Sequence, residues 1–188
     1  WIPFYEKTVS MEDNYWLEMQ PDIYCDMETT QHCIAVAKDM YMDGMYLDSI
    51  RKMIYDSPLN ADGTYVYSDL GFIMLAEIIK RETGITLDHY VDSVFYKPMG
   101  LDRIGYHPLN RFTTDEIVPS EVDNYFRCQE LTGYVHDMSC AMLGGVSGHA
   151  GLFSDAEDLA ILFQMLRNDG EYGGQNYIDS TILHSFTT

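Results

Sequence analysis

Two short stretches carry side chains whose types and spacing could do chemistry. Tyr67-Ser68-Asp69 sets a phenol, a hydroxyl and a carboxylate side by side, just ahead of a run with helical spacing. The unpaired N–H groups and the dipole at a helix N-terminus favour negative charge at that point. The plainer reading is a helix cap, with Ser68 or Asp69 satisfying the first turn and Tyr67 one of 15 tyrosines. The second stretch is Gly144-Gly145-Val146-Ser147-Gly148-His149-Ala150-Gly151-Leu152-Phe153-Ser154, where a lone histidine stands among residues too small to hide it. Four glycines in eight positions let a backbone approach a partner closely. An extended segment that presents a polar side chain and then small residues can lie against a substrate and pair with its backbone. The same residues also fit a loop entering a buried strand, with His149 on its rim.

The elements that position these stretches are set by periodicity. Leu70, Ile73, Met74, Glu77 and Ile78 recur at helical spacing after Ser68-Asp69, and Gly84 closes that helix. A second helix comes next, capped by Thr86, burying Leu87, Tyr90, Val91, Val94 and Phe95, and stopped by Lys97-Pro98. Thr64–Tyr67 reads as a brief extended segment, and residues 145–153 as a strand. Ser154-Asp155-Ala156-Glu157 reads as a capping box opening a helix through Leu159, Leu162, Phe163 and Leu166 to Gly170. Leu47, Ile50, Met53 and Ile54 predict a short amphipathic helix ended by Ser57-Pro58. Residues 1–28 show little period and read as irregular. Residues 29–42 are apolar but ambiguous between strand and helix, and residues 98–135 read as loops with short strands.

Composition narrows the function classes. Hydrophobic residues at 46% argue for a folded core, and a net charge of −19 argues against a nucleic-acid or anionic-membrane partner, which clustered Lys and Arg would read. No apolar run approaches the roughly 18 residues of a membrane span. Cys25, Cys33, Cys128 and Cys140 lack metal-ligand spacing and read as free thiols packed as small hydrophobes. His32, His89, His107, His136 and His184 form no metal pattern either, and no phosphate-cradling glycine loop is present, so no metal and no cofactor is expected.

The pair of stretches, with the residues around them, resembles the serine beta-lactamase and penicillin-binding-protein superfamily, especially its class C-like hydrolases and esterases. That superfamily uses Ser-x-x-Lys, a Ser-Asp-Asn or Tyr-x-Asn element, and Lys-Thr-Gly. Tyr67-Ser68-Asp69 and the helix from Leu70 to Ile79 resemble the second element, and Phe95, Pro98, Met99, Gly100 and Leu101 resemble the segment C-terminal to it in these enzymes. His149-Ala150-Gly151 is similar to the variant third element in which His replaces Lys, with Gly144-Gly145-Val146, Leu152-Phe153-Ser154 and Asp158-Leu159-Ala160 around it. Val135-His136-Asp137 resembles domains fused to family 3 glycoside hydrolases in bacterial surface proteins, and Trp1–Tyr5 the segment such domains carry after the nucleophile helix.

The resemblance implies an α+β fold, predominantly helical, with a partial antiparallel sheet. It also implies that residues 1–188 form one partial domain lacking the nucleophile segment and the C-terminal strands and helix. Acyl transfer through an acyl-enzyme would be the reaction. Tyr67 and His149 would be catalytic, and Ser68, Asp69, Gly148, Ala150 and Gly151 would bind a small-molecule or cell-wall-type substrate, in an extracytoplasmic setting. One departure stands out: Ser49-Ile50-Arg51-Lys52 spells Ser-x-x-Lys, but only 18 residues before Tyr67, too late in the chain for the nucleophile helix. The chain by itself is therefore expected to hydrolyse nothing. The rival expectation is a non-catalytic binding or structural module of a larger cell-surface glycosidase. An unpaired edge at 145–153 and uncovered helix faces would also favour self-association.

Overall fold

The structure is a computed structural model that describes residues 4–11, 17–59, 63 and 65–187. The first third of the chain is built on small antiparallel sheets. β1 (Val9–Met11) pairs with β2 (Leu17–Met19) after a 3-10 turn at Phe4–Lys7. β3 (Tyr24–Cys25), β4 (His32–Ala37) and β5 (Met40–Asp43) form a three-stranded sheet in the order β3-β5-β4. Met40 and Met42 point inward from β5 in the period-2 pattern of a half-buried strand. Residues 1–28 are thus not irregular where they are described. Strands of two or three residues offer no period to read, and pairing with a partner strand defines them.

The helices form largely where periodicity puts them. α1 (Tyr46–Tyr55) buries Ile50 and Ile54 and ends where the Ser57 hydroxyl donates to the Ile54 carbonyl, 2.7 Å away. α2 (Leu70–Thr83) starts after Asp69 and ends at Gly84, whose φ of 77° is the left-handed value glycine adopts without penalty. α3 (Leu87–Val91) runs through a π-helical segment (Asp92–Tyr96) into α4 (Lys97–Met99), so the stop falls at Gly100 and not at Lys97-Pro98. The π segment shifts the bonding, the Lys97 N–H reaching the Asp92 carbonyl five residues back, and the helix passes the proline.

The hairpin of β6 (Glu121–Asp123) and β7 (Gln129–Leu131) leads to α5 (Met138–Met142), which buries Ser139, Cys140, Ala141 and Met142. α6 (Ala156–Arg167) is capped one residue later than Ser154 predicts, because the Asp155 carboxylate accepts from the Asp158 N–H at 2.9 Å. The hairpin β8 (Glu171–Tyr172) and β9 (Gln175–Asn176) and then α7 (Ser180–Thr187) complete the order. The expected strand over 145–153 does not form: Phe153 makes a single antiparallel bridge to Gly105, and the rest is turn, bend and irregular backbone. Gly144 and Gly145 at φ 83° and Gly151 at φ 108° turn the chain out of the extended region a strand needs. Residues 65–67 likewise lie outside any strand.

Two cores result. The larger gathers Phe4, Tyr24, Met42, Ile50, Ile73, Phe126 and Met142, and the smaller gathers Tyr96, Met99, Leu101, Ile104 and Met165. All four cysteines are free, but only Cys140 is buried, while Cys33 and Cys128 are exposed. The small-hydrophobe expectation therefore holds for Cys140 alone.

Candidate active site

The glycine-rich loop is fixed from below by α5. Asp137, the residue before that helix, accepts the Cys140 N–H at 2.6 Å and so caps its first turn. The same carboxylate oxygen lies 2.9 Å from Nε2 of His149, whose Nδ1 lies 2.9 Å from the Ser147 hydroxyl. The His149 side chain is only 3% exposed, so both ring nitrogens are engaged inside the protein. Burial pushes the Asp137 carboxyl up, but the bonds from His149 and Cys140 and the nearby charge of Arg127 outweigh it and hold it below its ordinary value.

Further contacts set the course of the loop. The Tyr106 phenol donates to the Ser147 carbonyl at 3.0 Å, and burial raises that phenol's pKa. The Cys140 thiol donates to the Ala150 carbonyl at 3.2 Å, and burial, with the charge of Asp137 next, raises it too. A Cβ on Gly151 would stand 2.3 Å from the Gly145 carbonyl oxygen, so the two glycine turns meet with no room for a side chain. Downstream, buried Asp158 accepts the N–H groups of Arg103 and Ile104 at 2.7 and 2.9 Å, tying α6 to the segment that bridges Phe153.

Gly148 joins the two stretches that the sequence singles out. A Cβ there would lie 2.2 Å from the Phe72 carbonyl oxygen, in the first turn of α2. The loop bearing His149-Ala150-Gly151 is therefore seated on the helix that Tyr67-Ser68-Asp69 opens, and Ala150 packs on the same core as Leu70 and Ile73. Ser68 accepts the Leu70 N–H at 3.3 Å, whereas Asp69, at the cap position, makes no capping bond with its side chain. Tyr67 is 82% exposed, and among the described residues nothing meets its hydroxyl. Beside the loop, an open cleft of about 650 Å³ is lined by His136, Asp137, His149, Ala150, Gly151 and the segment Val118–Ser120, among others.

Ser49 and Lys52 do not form an activated pair. Both lie exposed on α1, and the Lys52 ammonium sits 2.6 Å from Asp56, whose hydrogen bond and charge raise its pKa. A lysine that must give up its proton is poorly served by that partner.

Sequence reasoning missed Arg127 and Asp123. Their side chains are fully buried, the Arg127 Nε donating to Asp123 at 2.7 Å, and the two guanidinium ends donate at 2.6 Å each to the carbonyls of Val135 and His136. A charge pair four residues apart looks like a solvated surface pair in a sequence, and nothing local marks it as buried. Asp137 was legible only as part of Val135-His136-Asp137; its bond to His149 was not. Among the described residues no group of His, Cys, Asp and Glu could hold a metal ion, and no helix is long and apolar enough to cross a membrane.

Small antiparallel sheets flanked by helices, with a glycine loop seated on a helix start, make this an α+β protein. The fold is similar to that of an octameric penicillin-binding protein homologue from Pyrococcus abyssi, with a TM-score of 0.54 at 18% identity over 76% of this chain and 29% of that one. The beta-lactamase family model matches residues 19–185, and the chain belongs to that family. Provisionally named D-alanyl-D-alanine carboxypeptidases of Salmonella heidelberg (strain SL476) and Salmonella typhi are each 37% identical over 150 residues. Those alignments cover 72% of this chain but 35% of each relative, so the chain spans about a third of the length of the curated proteins it matches.

Proposed function

We propose that residues 1–188 are one partial domain, forming two walls of a serine hydrolase site that works through an acyl-enzyme. The observation that carries this reading is the seat of Gly148 on the Phe72 carbonyl, which sets His149-Ala150-Gly151 beside the helix opened by Tyr67-Ser68-Asp69. Family membership supplies the reaction class. A serine from a segment of a longer protein, with a lysine one turn after it, enters between the walls and attacks a substrate carbonyl. Tyr67 and that lysine share the serine's proton and pass it to the leaving group; water then cleaves the acyl-enzyme. Backbone N–H groups of the serine and of the Gly151-Leu152 segment take the developing oxyanion. Ser68, Asp69, Gly148, Ala150 and Gly151 line the substrate's path, and His149 anchors the opposite wall.

The relatives' name makes a cell-wall peptide the first substrate class to test, in an extracytoplasmic setting, with esters next. The chain alone hydrolyses nothing, since Ser49 and Lys52 are not an activated pair. The exposed apolar side chains of Phe72, Leu75 and Ile78 on α2 support self-association of the isolated chain. Fluorophosphonate labelling of the longer protein tests the reading. A serine labelled in the wild type and lost to labelling in Tyr67→Phe supports it, and an unlabelled wild type overturns it. Turnover of a nitrophenyl ester by the 188-residue chain, dependent on Tyr67, would sink the claim that this chain is inactive.

A further inference from the structure

We propose that Asp137 is the positioning residue of His149, fixing which ring nitrogen carries the proton, and that the buried Asp123–Arg127 pair holds Asp137 in place. The proposal rests on the reading of His149 as a wall of the site. The geometry is a line of closed contacts. An ionised carboxylate only accepts, so Nε2 of His149, 2.9 Å from Asp137, must bear a proton. In the neutral ring Nδ1 is then bare, and it accepts the Ser147 hydroxyl, also 2.9 Å away. Ser147 is itself buried, 2% exposed, so no substrate competes for that hydroxyl in this arrangement.

Asp137 cannot swing away, because the backbone ahead of it is clamped. Arg127 grips the Val135 and His136 carbonyls at 2.6 Å each, and Asp123 anchors Arg127. The Asp123 carboxylate also accepts the N–H groups of Tyr125 and Phe126 at 2.9 Å and of Arg127 at 3.1 Å, so both of its oxygens are filled. Burial pushes Asp123 up, and those bonds more than offset it, keeping the carboxyl below its ordinary range. A bidentate guanidinium at two successive carbonyls fixes orientation as well as distance, which an ammonium would not.

The test is nitrogen NMR of the 188-residue chain labelled in its histidine rings, with the His149 signals identified by their loss in His149→Gln. The wild type is expected to show one tautomer with the proton on Nε2. A hydrogen bond to an ionised group favours that form by about tenfold or more. Asp137→Ala removes the bias and leaves the two tautomers within about threefold of each other, the loss of one such bond. Asp137→Asn, which keeps the helix cap and so guards against simple unfolding, weakens the bias part-way. Ser147→Ala leaves the proton on Nε2. Arg127→Lys, which touches no atom of His149, loosens the bias as well.

An unchanged tautomer in both Asp137 variants, or loss of the bias in Ser147→Ala alone, overturns the role of Asp137. A wild-type signature in Arg127→Lys overturns the clamp. The ring signature is read without substrate. A tautomer that follows Asp137 in a protein that never acylates therefore refutes only the hydrolase reading, and the reverse result refutes only this proposal.

Discussion

The two walls of the candidate site are built by opposite means. The His149 wall is braced from several directions: Asp137 and Ser147 hold the ring, Tyr106 holds the Ser147 carbonyl, Cys140 holds Ala150, and Arg127 holds the backbone ahead of Asp137. The Tyr67 wall rests on one helix, with its phenol in solvent. The difference teaches that this chain by itself organises one side of the site and only presents the other. A wall made of interlocked buried polar groups keeps its shape unaided, because each displaced group would be left without a partner in a low dielectric. An exposed tyrosine has no such constraint and gains a fixed position only when something packs against it.

Four measurements can break or sharpen that contrast. The largest effect is expected from Arg127→Ala, which leaves the buried Asp123 carboxylate without its counter-charge; urea unfolding should show a loss of about 3–5 kcal/mol. A loss under about 1 kcal/mol would mean the clamp is not what stiffens this wall. Next is Gly148→Ala. The added methyl group meets a backbone carbonyl that cannot rotate away, so a loss of about 3 kcal/mol is expected, at the upper end for overpacking, and seen as a lowered Tm. A neutral result would separate the two walls and remove the main support for a shared site.

Acid should find the braced wall first. Asp123 and Asp137 are both held below their ordinary values, so the unfolded chain, with carboxyls near 3.9, binds protons before the folded one. Their contribution is in full force well above pH 4 and is lost as pH falls through that value and then through the lower folded ones. Stability measured by circular dichroism from pH 6 to pH 3 should fall less steeply in Asp137→Asn than in the wild type; equal slopes would show that Asp137 is not part of the brace. The smallest effect belongs to Tyr67→Phe. With its hydroxyl in solvent, unfolding free energy should change by no more than about 0.5 kcal/mol, and a larger loss would show that the second wall is braced too.

Much of this was legible in the residues. Gly84 as a helix end, the buried face of α1, and membership of the beta-lactamase family come from period, turn chemistry and motif. The strand at 145–153 was misread because small and apolar residues suit a strand by composition, while the backbone angles of Gly144, Gly145 and Gly151 were set by what packs around them. The short strands near the N-terminus were missed because two or three residues carry no period, and only pairing with a partner strand defines them.

The sequence by itself determined the local grammar of this protein: where helices start and stop, which stretches carry polar groups among small residues, and which family those stretches belong to. These are matters of neighbouring residues, and neighbours are written side by side. Only the tertiary structure decided that Arg127 is buried and grips two carbonyls, that Asp137 holds His149, and that Gly148 rests on α2. The physical reason is that burial and hydrogen bonding are properties of atoms brought together across long stretches of chain. An arginine reads alike in sequence whether it lies in water or in the core, and only the fold supplies the partners that make the second case stable.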